Sequence, residues 1–374
     1  MRDSLLIGRN SMKKKVVCVV SSYAYIVENI NYGALLQYYA LQKVLEKEGF
    51  DVYWLRYRFP PSQKTLKDRL RFLRHWTKDR KFYHTQKRIM DFVDTNLKLS
   101  PKIYFSDTEL EEHLPEADIY LTGSDQVWGG TLKANYLCFV PEGSKKISYA
   151  ASFGKGSISE EQKEIIKPWL KRFQGITVRE KTGISICADM GITAKQVLDP
   201  TLLLMKEDYP TIQTEDKNKY TFCYFLNVKD RNDVPIDAIK QYCVQQNMAL
   251  HITGGVAGVN HIVPVEEQLF LNIDEWLTRY KNAECIITNT FHGTVFAIIF
   301  RKPFLVLLQT GESAAQNERL YSLLEQFGLL GRIMHRNEAI DMQMNCPIDW
   351  EKVSTIQKAQ ANLSLSILRA LLDE

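Results

Sequence analysis

Several features that would announce a function are missing. No apolar run in the 374 residues reaches the roughly 18 that a membrane-spanning helix needs. There is neither a Gly-x-Gly-x-x-Gly nor a Walker loop, which removes support for a dinucleotide or a nucleoside triphosphate. No His/Asp/Glu group has metal-ligand spacing, so no metal is expected. The seven cysteines form no Cys-x-x-Cys pair and are odd in number. Scattered as they are, several in strand-like runs, they read as buried thiols of a reducing cytoplasm rather than as zinc ligands or disulfides. Met1 to Arg9 is too short and polar for a secretory signal, and Met12-Lys13-Lys14-Lys15 is the more natural beginning.

A dominant charge is missing too. Lys and Arg number 48 against 44 Asp and Glu, a net charge of +4, which argues against a nucleic-acid partner recognised through bulk basicity. The charge is unevenly placed. Lys64 to Arg88 holds ten Lys/Arg against two Asp, so this segment carries +8 and the remainder −4.

What is present is ordinary globular material: 45% hydrophobic and 25% charged residues, over about twice the length of a typical domain. The first half alternates short β-branched runs with helical patterns. Val16–Val20 reads as a buried strand, Ala34 to Glu48 as a helix stopped by Gly49, and Asp51–Leu55 as the next strand, which makes a βαβ unit. Strands are also predicted at 118–122, 147–151, 176–178 and 196–198. A polar stretch at 208–219, containing Pro210, marks a domain boundary. The alternation then resumes, with strands at 221–226, 249–253, 285–288 and 304–308 and helices at 233–246 and 273–283. A last amphipathic helix covers 355–373. The pattern predicts an α/β fold of two Rossmann-like, doubly wound domains facing a cleft, one at 13–207 and one at 220–345, with a terminal helical segment at 350–374.

Ligands of open parallel sheets bind beyond the carboxyl ends of the strands, and that rule selects the candidates. His292-Gly293 lies where a strand turns into an apolar helix. A helix N-terminus suits a phosphate, and a histidine there either binds it and passes a proton or simply caps the helix. Ser124-Asp125 either orients a sugar hydroxyl or makes a turn. Arg179 either forks an anion or pairs with Glu180 or a neighbouring helix. Asp199-Pro200-Thr201 reads as a structural turn, and Gly254-Gly255 is too weak to be a phosphate loop.

In order along the chain, these segments resemble the polysaccharide pyruvyl transferase family. The matching motifs are Asn31-Tyr32-Gly33-Ala34-Leu35-Leu36-Gln37, Gly123-Ser124-Asp125-Gln126-Val127-Trp128 and Tyr149-Ala150-Ala151-Ser152-Phe153-Gly154. They continue with Val178-Arg179-Glu180, the run from Leu198-Asp199-Pro200-Thr201 to Leu204, and the run from Ile287 through Phe291-His292-Gly293 to Thr294. The resemblance spans about residues 15 to 335. It implies an architecture similar to the B-type glycosyltransferases, with the last helix packed back on the first domain. It implies transfer of pyruvate from phosphoenolpyruvate, a co-substrate, to a hexose as a cyclic ketal, with no cofactor.

The resemblance maps the family's histidine on His292 and its arginine on Arg179; the chemistry it implies then makes His292 and Asp125 the catalytic residues and Arg179, Arg319, Thr290, Asn289 and Gly293 the donor side. Asn31, Tyr32, Gly33, Ser124 and Gln126 form the acceptor side. Many members carry arginine two residues before the histidine. Here that residue is Thr290, and Arg319 is the candidate replacement.

In the basic segment, Leu66, Leu70, Phe72, Leu73 and Trp76 fall on one helical face, opposite Lys67, Arg71, Arg74, Lys78 and Lys81. Such a helix either lies on an anionic membrane, which suits a hexose carried on polyprenyl diphosphate and a cytoplasmic, membrane-peripheral location, or packs on its own domain. Flotation with anionic vesicles separates the two. Competing functions are a nucleotide-sugar glycosyltransferase of the same architecture and a non-catalytic binder of anionic glycans or lipid-linked sugars.

Overall fold

The structure is a computed structural model that describes residues 13–23, 31–58, 76–213, 218–254, 259, 262–334 and 339–373. In its first half, β1 (Val16–Val20), α1 (Tyr32–Lys47) and β2 (Asp51–Tyr57) form the expected βαβ unit. There follow α2 (Trp76–Asn96), β3 (Leu99–Tyr104), α3 (Asp107–Glu112), β4 (Ile119–Thr122), β5 (Lys145–Ser148) and α4 (Glu160–Leu170). The half closes with β6 (Thr177–Val178), α5 (Lys181–Asp189) and β7 (Lys195–Gln196). β1 to β5 form one parallel sheet in the order β3-β2-β1-β4-β5. The short parallel pair β6-β7 is tied to its β5 edge by bridges between Ile147 and Gly175 and between Ala151 and Val178.

The second half contains β8 (Tyr220–Phe225), α6 (Ile236–Gln245), β9 (Ala249–Gly254), α7 (Ile273–Asn282), β10 (Cys285–Thr288), α8 (Phe291–Ile299) and β11 (Phe304–Val306). Its parallel sheet runs β11-β10-β8-β9. Helices α9 (Glu318–Gln326), α10 (Ile340–Asn345) and α11 (Trp350–Asp373) complete the chain. Every strand of both sheets is parallel, so both faces need helical cover. The inner strands are accordingly apolar runs rather than alternating ones, as in the wholly buried Tyr220–Phe225.

Small polar caps set where two helices begin, the first of them two residues before the predicted Ala34. The Asn31 side chain accepts from Ala34 N at 3.1 Å and opens α1 at Tyr32. The Thr290 hydroxyl accepts from Gly293 N at 2.9 Å and opens α8 at Phe291. His292 therefore sits inside the first turn of α8.

The halves are fastened by aromatic packing. Tyr32 of α1 stacks on Trp276 of α7 with centroids 5.0 Å apart, and its hydroxyl donates to Leu271 O at 2.7 Å. Tyr32 also meets Tyr224 of β8 edge-on at 5.7 Å. Each such pair adds about 0.5–1.5 kcal/mol beyond area burial. Helix α11 lies against the first half: Ser364 Oγ accepts from Leu198 N at 3.0 Å, Arg369 forks Glu48 at 2.7 and 2.8 Å, and Leu368 and Leu372 are buried.

Most of the basic amphipathic pattern, including Leu66, Lys67, Leu70, Arg71, Phe72, Leu73 and Arg74, lies outside the described residues. Its C-terminal part belongs to α2, which buries Ile89, Phe92 and Val93 in the core. There Arg88 pairs with Glu275, and the Lys81 ammonium lies 5.9 Å from the Phe270 ring. No helix among the described residues is long and apolar enough to cross a membrane.

Candidate active site

In the first sheet the connection order reverses between β1 and β4; in the second it reverses between β8 and β10. Such reversals open a crevice at the carboxyl ends of the strands. At the first lie Ser21-Ser22 and Gly123-Ser124-Asp125. At the second lie Leu226-Asn227 and Asn289-Thr290. The two crevices face one cavity of about 680 Å³.

Seven of the residues selected from the sequence line it: His292, Asp125, Arg319, Thr290, Asn31, Gly33 and Gln126. Asp125 holds a left-handed backbone (φ 87°), and its Oδ2 accepts from Ser22 Oγ at 2.7 Å. Burial opposes its charge, but Arg179, His292 and the Ser22 hydroxyl outweigh that and hold the carboxyl below its usual range. Arg319 is buried, with its head group at the wall. It donates from Nη2 to Gln316 Oε1 at 2.9 Å and, with the Gln126 amide oxygen turned towards it, from Nη1 and Nη2 to Gln126 at 2.7 and 2.8 Å. Burial and the nearby Arg179 pull its pKa down to about 10, so it stays charged at neutral pH.

His292 is 8% exposed, held between the two halves. Its Nε2 is 3.5 Å from Asp199 Oδ2. On its other edge lies Gly33 of α1, where an added Cβ would stand 2.1 Å from His292 Nδ1 and 2.7 Å from its Cβ. Only glycine admits the ring there. Gly293 is constrained similarly, with the Thr288 and Thr290 hydroxyl oxygens 2.2 and 2.4 Å from where its Cβ would be.

The other five selected residues do not reach the wall. Arg179 is buried behind Phe291, its guanidinium carbon 4.1 Å from that ring, and donates to Asp199 Oδ2 at 3.0 Å. Ser124 is fully buried and donates to the same oxygen at 2.9 Å. Asn289 clamps two loops, accepting from Leu226 N at 2.9 Å and donating to Leu226 O at 2.7 Å. Gly293 packs under the threonine hydroxyls, and Tyr32 belongs to the aromatic core.

Sequence reasoning missed Asp199 as part of the site. The expected turn exists, since Oδ1 accepts from Thr201 N and Oγ1 at 3.0 and 2.6 Å, but Oδ2 is turned to Ser124, Arg179 and His292 behind the wall. Burial opposes its charge, yet His292, Arg179 and the Thr201 hydrogen bond hold its carboxyl far below the usual range. Also missed were Asn135, Tyr224, Asn227, Gln309 and Gln316 on the wall. The rule of strand carboxyl ends, applied to β8 and β11, would have found Asn227 and Gln309. Among the described residues, no group of three or more His, Cys, Asp or Glu side chains is placed to hold a metal.

The fold is similar to those of sugar-nucleotide enzymes. UDP-GlcNAc 2-epimerase from Neisseria meningitidis, solved with UDP-GlcNAc bound, is 12% identical, with 96% of this chain and 100% of that one covered at a TM-score of 0.50. A putative UDP-N-acetylglucosamine 2-epimerase from Listeria monocytogenes is 10% identical, covers 96% of each chain and gives 0.52. That from Rickettsia bellii is 11% identical, with 96% of each covered and 0.51. At these identities the likeness is one of fold, that of the B-type glycosyltransferase class. No curated protein sequence matches the chain.

A family model does match, over residues 31–309. The match begins at the Asn31 cap of α1, ends at Gln309 beyond β11 and takes in wall residues from both halves, though not Gln316 or Arg319, and the chain belongs to the polysaccharide pyruvyl transferase family.

Proposed function

We propose that the cavity takes phosphoenolpyruvate and a hexose of a surface-polysaccharide repeat unit, carried on a polyprenyl diphosphate lipid, and joins them as a cyclic pyruvate ketal with release of phosphate. One observation carries this reading: among the described wall residues the basic groups are His292 and Arg319, and the acidic one is Asp125. That set matches a small anionic donor, a proton to deliver and a hydroxyl to activate.

In the reaction, His292 gives a proton to the methylene carbon, and the neighbouring carbon becomes oxocarbenium-like. The first sugar hydroxyl adds there and loses its proton to Asp125. The C–O bond to phosphate breaks, the second hydroxyl adds and closes the ketal, and one hydroxyl proton departs with the phosphate. Arg319 and the N-terminus of α8 hold the donor's anionic groups. Arg179, paired with Asp199 behind Phe291, braces the site without touching the donor.

The test is phosphate release from phosphoenolpyruvate in the presence of hexose acceptors, with product mass measured alongside. The expected result is phosphate released in step with an acceptor that gains pyruvate less one water. Glycosyl transfer from a nucleotide sugar, with phosphoenolpyruvate inert, would overturn the reading in favour of the glycosyltransferase. Binding without either reaction would favour the non-catalytic binder.

Gly33→Ala probes how tightly the site is built. The added methyl must displace the His292 ring, and a shift near 1 Å is enough to cost about 10²-fold in turnover. Steady-state kinetics should show that fall in kcat, with the circular-dichroism spectrum retained. Unchanged kcat would mean that His292 does not need the position it occupies.

A further inference from the structure

We propose that Asp199 is a positioning residue for His292, which it holds from the opposite half of the molecule, so that the proton donor is complete only where the two sheets meet. The inference rests on the reading that His292 delivers the proton.

The two oxygens of Asp199 divide their work. Oδ1 closes the local turn through Thr201 N and Oγ1, and this is all that an Asp-Pro-Thr turn requires. Oδ2 serves no local purpose. Onto it converge Ser124 from beyond β4 at 2.9 Å and Arg179 from the end of β6 at 3.0 Å, with His292 Nε2 of α8 at 3.5 Å.

The carboxylate side chain is fully buried, and a buried charge persists only where it is paired and hydrogen-bonded. Arg179 is itself fixed by the Phe291 ring and supplies that pairing without occupying the cavity. With Asp199 at its Nε2 edge and Gly33 at its Nδ1 edge, the imidazole is held in one place. Its Nε2 is otherwise buried without a hydrogen-bond partner among the described residues, so the Asp199 carboxylate, 3.5 Å away, is the group that fixes this edge of the ring. The charged groups around the pair are Asp125, Arg179, Glu180 and Arg319.

Asp199→Asn in the full-length protein should lower kcat by about 10²–10⁴-fold with the KM for phosphoenolpyruvate unchanged, because an amide at this position no longer orients the ring as the carboxylate does. The double variant Asp199→Asn/His292→Gln should be no slower than His292→Gln alone. Losses that multiply would overturn the proposal.

A second readout is independent of turnover. With histidines labelled with nitrogen-15, the wild type should show an Nε2 proton on His292 protected from exchange, and Asp199→Asn should lose it. The same protection in the variant would overturn the proposal even if the protein acts on another donor. Should Asp199→Asn fail to fold, Ser124→Ala removes one donor to the same oxygen and should lower kcat about 2- to 10-fold at unchanged donor affinity. No change in kcat there would count against it.

Discussion

His292→Gln is expected to lower kcat by about 10²–10⁴-fold, the range a positioned general acid contributes, while phosphoenolpyruvate still binds. Glutamine keeps a polar side chain of similar reach in the pocket bounded by Gly33 and Asp199 but carries no exchangeable ionic proton. Asp199 keeps Arg179, Ser124 and Thr201 as partners in the variant, so the site remains assembled. Phosphate release under saturating donor is the measurement. A fall in affinity with kcat intact would reassign His292 from proton transfer to binding.

Arg319→Ala is expected to act on the other quantity. The guanidinium rests on two uncharged amides, those of Gln126 and Gln316. Its charge is therefore available to an incoming anion. A charge-assisted hydrogen bond contributes about 1.5–3 kcal/mol, so its loss should weaken phosphoenolpyruvate binding about 10- to 150-fold. Arg319→Lys should fall between, since it keeps the charge and loses the planar fork. Thr290 cannot compensate, because its hydroxyl is engaged in capping α8 at Gly293 N. Equal affinity in wild type and Arg319→Ala would show that the donor's anionic groups are held elsewhere.

The sheets were legible because parallel strands buried on both faces are apolar runs bounded by turns. Cys285–Thr288 is predicted and observed with the same bounds. The edge strand Leu99–Tyr104 was not legible, since it contains Pro101 and presents a mixed surface. The rule that strand carboxyl ends carry function selects Asp125 and His292, and the structure puts both on the wall of a single cavity.

The rule cannot tell a residue on the wall from one a few ångströms behind it. Ser124 and Asp125 are adjacent in sequence, yet one is buried on Asp199 and the other faces the cavity, because the left-handed backbone at Asp125 turns its side chain outward. Asp199 was hidden for a different reason. A turn-forming aspartate has two oxygens, and only the three-dimensional convergence of Ser124, Arg179 and His292 reveals what the second one does.

The central claim is that this cleft receives phosphoenolpyruvate. Calorimetric titration of the wild type with phosphoenolpyruvate and, separately, with UDP-sugars tests it most directly. The account predicts saturable heat with phosphoenolpyruvate, reduced in Arg319→Ala, and none with the UDP-sugars. Saturable binding of a UDP-sugar with no heat from phosphoenolpyruvate would contradict it.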